Sequence, residues 1–104
     1  MGTYARRKPK RLAEKLLEIR KSFGDSQNGL VRRLGFSGEL TQSDISAFER
    51  GMREPPLHVL LKYSELARVW VNALIDDDVN LPEKLPNSAM HEGVKRVVKK
   101  RSSR

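Results

Sequence analysis

The sequence predicts an all-α domain of four or five short helices, and three observations carry that expectation. Apolar residues recur at helical spacing from residue 11 to residue 75, Gly24, Gly35 and Gly51 stand where successive helices need stopping, and the single Val-rich run, 69–75, has no partner strand elsewhere.

The first helix follows Pro9 and spans about 11–23, with Leu12, Leu16, Ile19 and Phe23 on one face. Gly24 stops it, because glycine takes the left-handed C′ conformation without steric cost, and Asp25-Ser26 caps the next helix. A second helix over 27–34 turns Leu30, Val31 and Leu34 inward and Arg32 and Arg33 outward, although Gly29 weakens it by about 1 kcal/mol relative to alanine. Residues 36–40 form a turn. Thr41 then reads as an N-cap with Asp44 three residues on, a capping-box variant that opens a third helix over 42–50. Ile45 and Phe48 face inward there, whereas Gln42, Ser43, Ser46 and Ala47 are short or polar and point elsewhere. Pro55-Pro56 makes an extended link into a fourth helix over 57–68, with Leu57, Leu60, Leu61, Ser64 and Ala67 expected on or beside the buried face. The run 69–75 is a tight connection and a short fifth helix. Asp76-Asp77-Asp78 ends the domain, and 80–86 is a proline-punctuated linker. Two readings stand for 88–104: one amphipathic helix built on Met90, Val94, Val97 and Val98, or a partly disordered basic tail.

A chain of 104 residues has room for one small domain and tails. The organisation expected is a basic arm over 1–10, a helical domain over 11–76 and a linker with a basic tail over 77–104. Without cysteine there is neither disulfide nor thiol nucleophile, and no stretch is apolar enough to cross a membrane, so a cytoplasmic location is the expectation. The net charge of +8 points to a polyanionic partner, and its distribution is uneven. Arg6, Arg7, Lys8, Lys10 and Arg11 make the first eleven residues +5. Lys95, Arg96, Lys99, Lys100, Arg101 and Arg104 make the last eleven +6, and the ten bases and thirteen acids between them leave −3.

A glycine-stopped second helix feeding a third whose outer face is small and polar is a helix-turn-helix arrangement. The residues that fill it carry a further likeness: Ile19-Arg20-Lys21, Ser26-Gln27 and Leu30, Leu34-Gly35, then Ile45-Ser46, Glu49-Arg50-Gly51, Arg53 and Pro55, and finally Leu60-Leu61 and Leu74-Ile75-Asp76. Over residues 11–76 this resembles the lambda-repressor-like, xenobiotic-response-element (XRE) or Cro-type helix-turn-helix domains of phage repressors and bacterial regulators.

The resemblance implies a sequence-specific transcriptional regulator, a repressor by preference, that binds double-stranded DNA as a homodimer. It implies base contacts from Gln42, Ser43, Ser46 and Ala47 on a helix in the major groove; glutamine bonds bidentately to adenine, serine bonds to several bases and the alanine methyl touches thymine. Gln27 matches a glutamine that grips a phosphate and braces the start of the recognition helix. Arg50 and Arg53 fall where the family approaches the DNA backbone, and the arm bearing Arg6, Arg7, Lys8 and Lys10 resembles arms that wrap the duplex. Arg20 and Glu49 match an ion pair tying the first helix to the third. The expected dimer interface is Trp70, Val71 and Leu74 with 81–85. Three positions depart from the family pattern: the turn between Gly35 and Ile45 is about four residues longer, Val31 replaces an alanine, and Arg68 stands where a glycine often ends the fourth helix.

Other functions fit less of the sequence. The alternative is a DNA-binding antitoxin that neutralises a second protein through residues 77–104; RNA binding and membrane-surface binding by the tails come after it. His58 and His91 have no metal-ligand spacing, three consecutive aspartates cannot all face one ion, and no nucleophile, base and orienting group recur together, so no enzyme, cofactor, metal or small-molecule ligand is inferred.

Overall fold

Apolar side chains at helical spacing have to meet across a shared core, and five helices suffice. The computed structural model describes residues 8–86, with α1 (Leu12–Phe23), α2 (Gln27–Leu34), α3 (Gln42–Glu49), α4 (Leu57–Ala67) and α5 (Val71–Ile75), and no strand among the described residues. Leu16, Ile19, Leu30, Ile45, Val59, Tyr63 and Leu74 are wholly removed from solvent at its centre. No helix among the described residues is long and apolar enough to cross a membrane.

The boundaries follow from local chemistry. The Ser26 hydroxyl accepts from the Gly29 amide to start α2. Gly35 ends that helix at φ +84°, a conformation that residues with a Cβ rarely adopt, and its amide bonds back to the helix. Thr41 and Asp44 form the expected reciprocal capping box at α3. That helix ends at Glu49, one residue short of the expected span; Arg50 is its C-cap and Gly51 turns the chain. Arg68 ends α4 at φ +61°, doing with a bulky residue what glycine does at lower cost.

The buried face of α4 is rotated from the one expected. Leu57 is 83% exposed and Leu61 50% exposed, whereas Val59 and Tyr63 are fully buried beside Leu60, Ser64 and Ala67. The run Val59-Leu60-Leu61 is apolar on every side, so its periodicity does not settle the orientation. The helix turns to bury the phenol ring, the largest apolar surface it carries.

The packed unit reaches past residue 76. Val79, Leu81 and Leu85 lie partly buried against the core, so the proline-rich stretch is laid on the domain. Two polar clamps hold it to the start of α1. The Asp77 carboxylate accepts from the Lys10 and Arg11 amides at 2.9–3.0 Å, and the Arg11 guanidinium donates to the Asp77 carbonyl and to Asn80 Oδ1, both at 2.8 Å. Lys15, 1% exposed, drives its ammonium between the carbonyls of Ala73, Asp76 and Val79 at 2.7, 2.9 and 2.7 Å. Burial pushes this group below the ordinary lysine range, while three charge-assisted bonds use all three of its protons.

Candidate nucleic-acid interface

Because Ile45 and Phe48 are buried, an eight-residue α3 must present its remaining sides outward or to its neighbours. Gln42 and Ser43 are exposed at the first turn, with Ser46 and Ala47 half-buried one turn on, so the four expected base-contact residues share the outer side of α3. The first-turn backbone amides there add a partial positive charge.

What fixes the helix is a hydrogen-bonded chain running from α1 to that outer side. Arg20 meets Glu49 as a two-pronged pair, Nε to Oε2 at 2.7 Å and Nη2 to Oε1 at 3.1 Å, while its Nη1 donates to the Asp25 carbonyl at 2.9 Å. Gln27 Nε2 donates to the same Glu49 Oε1 at 3.0 Å, and Gln42 Nε2 donates to Gln27 Oε1 at 2.5 Å. The Glu49 side chain is only 4% exposed and that of Arg20 18%, so the pair is desolvated and its geometry is constrained on both sides. The Glu49 hydrogen bonds hold the Arg20 guanidinium above its ordinary value. Tyr63 lies close enough for this pair to bias it; burial is the main reason its phenol is pushed far up, and its hydroxyl has no hydrogen-bond partner among the described residues.

The expected phosphate-contact residues differ in how they are held. Gln27 is held within the chain just described. Arg50 is exposed at the end of α3. Arg53 lies across the Phe48 ring, 5.3 Å from its centroid, and bonds to Asp44 at 2.5 Å, which tethers it beside the capping box and holds the Asp44 carboxyl below its usual range. Lys8 and Lys10 are exposed next to the Asp77 clamp, while Arg6 and Arg7 lie outside the described residues, as do Met90, Val94, Val97 and Val98 of the tail.

Residues 35–41 are seated on the domain. Leu40 is buried, Phe36 meets the His58 ring edge-on with centroids 5.3 Å apart, and Glu39 Oε2 lies 2.6 Å from His58 Nε2. The start of α4 therefore anchors the turn that delivers α3. On α2, Arg33 stacks over Phe23 at 4.4 Å and pairs with Asp25.

The three residues expected at a dimer interface separate. Trp70 is 37% exposed as the N-cap of α5 and Val71 is half-buried, but Leu74 is fully buried in the chain's own core and offers no surface to a second copy. The inner side of this five-residue helix is made by Ala73 and Leu74. Sequence reasoning missed Lys15, Asp77 and the Phe36, Glu39 and His58 contact. Lys15 had a signal, since it stands three residues after Leu12 on the apolar face of α1; the other two join residues far apart in sequence. No family model, characterised protein or solved structure matches the chain.

Proposed function

We propose that this chain is a sequence-specific regulator of transcription that binds double-stranded DNA through a lambda-repressor-like helix-turn-helix, with α3 in the major groove and two copies on a two-fold symmetric operator. One observation carries the reading: the hydrogen-bonded chain Arg20, Glu49, Gln27, Gln42. It fixes the position of an exposed glutamine at the start of a short helix from a rigid interior, which is what direct readout of a base edge requires. Gln42 and Ser43 read bases, Ser46 and Ala47 sit over the adjacent step, and Gln27, Arg50, Arg53 and the arm over 1–10, with Arg6, Arg7, Lys8 and Lys10, meet phosphates. One such helix spans few base pairs, so specificity calls for a second copy about 34 Å away along the duplex.

The test is selection of bound duplexes from a random pool with the full-length chain. Enrichment of a two-fold symmetric motif with half-sites about one helical turn apart is the expected outcome. Recovery of unenriched sequence, with binding that depends only on salt, overturns the proposal.

A further inference from the structure

A groove of about 1060 Å³ opens where the entry to α1, the start of α4 and the end of α5 converge, on residues the proposed DNA contact does not use apart from Lys8 and Lys10. Leu12 and Leu60 form its buried floor, and Leu57 and Ile75, 83% and 42% exposed, line it with bare apolar surface. Asp76, Asp77 and Asp78 set three acids along it, Asp76 and Asp78 exposed, against the two lysines. Asp77 stays ionised through its clamp on the Lys10 and Arg11 amides.

The segment beyond Pro86 has the opposite make-up. Val94, Val97 and Val98 recur at helical spacing among Lys95, Arg96, Lys99, Lys100 and Arg101, and no acid follows Glu92. We propose that residues 94–101 dock in this groove of their own chain as an amphipathic helix, with the valines on Leu57 and Ile75 and the basic side chains facing Asp76 and Asp78. The eight steps from Pro86 to Val94 reach at most about 29 Å, and a tether that short raises the local concentration of the segment to about the millimolar range, so weak contacts hold it. While docked, the segment keeps its positive charge from any polyanion, which makes the groove a competitor for the tail.

The experiment uses the full chain, whose lack of cysteine makes Ser102→Cys a unique attachment point for a nitroxide. Paramagnetic broadening of amide signals is then read across the domain at low salt. Broadening concentrated at Leu57, Ile75 and Asp78, absent from α2 and the start of α3, is the expected result. Lys95→Glu with Lys99→Glu, both outside the described residues, should reduce it severalfold, as should 1 M salt, where the screening length falls to about 3 Å. Uniform or absent broadening overturns the proposal. So does broadening that arises only when an isotope-labelled chain is mixed with a separate spin-labelled one, because that places the segment on a second copy.

Discussion

Replacing Arg20 with alanine asks whether the ion pair behind α3 is structural, and the structure sets the size of the answer. The substitution leaves Glu49, 4% exposed, with the Gln27 amide as its one remaining hydrogen bond among those described. An uncompensated buried carboxylate costs about 3–5 kcal/mol, and this degree of burial places the loss near the upper end. Glu49→Ala strands Arg20 instead, which is 18% exposed and still donates to the Asp25 carbonyl, so its loss should be about 3 kcal/mol. For a domain this small each kcal/mol moves the midpoint by about 4–8 °C, so Glu49→Ala should melt roughly 12–24 °C lower and Arg20→Ala lower again. Gln42→Ala removes an exposed side chain and should change stability by no more than about 0.5 kcal/mol while abolishing selective duplex binding. Thermal unfolding followed by circular dichroism on the three variants decides the matter. Equal midpoints for Glu49→Ala and Gln42→Ala refute the division between holding the helix and reading with it. A milder effect for Arg20→Ala than for Glu49→Ala refutes the argument from unequal burial.

Four further outcomes are expected. Lys15→Met keeps the apolar stem but leaves three carbonyls without their donor, so stability should fall by about 2 kcal/mol and amide exchange should accelerate first between Ala73 and Val79; unaltered exchange there contradicts the clamp. Arg68→Gly relieves a left-handed residue at the end of α4 and should raise stability by about 0.5–1 kcal/mol in urea titration, whereas a loss means that the arginine side chain holds that corner. Asp25, Asp44 and Asp77 have carboxyls depressed below 3.8 by Arg33, Arg53 and the Lys10 and Arg11 amides respectively. Their stabilisation is complete above that value and is lost as pH falls through the depressed ones, so unfolding midpoints should stay level down to about pH 5 and drop below pH 4, less steeply in Asp77→Asn. Deleting residues 1–10 should flatten the slope of log affinity for duplex against log salt by several units, and an unchanged slope removes the arm from the interface.

Helix order, capping and the Arg20–Glu49 pair are all legible in the sequence because each depends on residues whose chemistry is local or whose partner matches a known pattern. Thr41 and Asp44 are three residues apart, and a capping box needs nothing more. The orientation of α4 is not legible, because three consecutive apolar residues leave the helix several ways to face and only the space around Tyr63 selects one. Leu74 reads as outward because a short helix late in the domain resembles an interface, yet its side chain completes the core. The turn after Gly35 reads only as long; its order comes from Phe36 and Glu39 meeting His58, nineteen residues after Glu39, a contact that no local pattern announces. Of the candidate site, the outward row on α3 is visible as small and polar residues. That Gln27 braces the start of α3 follows from the resemblance; that it does so by accepting from Gln42 does not, since this depends on the angle at which α2 and α3 meet.

The bonds from Lys15 to the carbonyls of Ala73, Asp76 and Val79 also bear on when this domain can form. They span about sixty residues of chain and join α1 to α5 and the stretch after it. Until the chain extends to Val79, the Lys15 ammonium lacks its full set of acceptors, and burying such a group unpaired costs free energy. Closing the core around Lys15 therefore needs the chain as far as Val79. The carbonyls made last thus complete the helix made first.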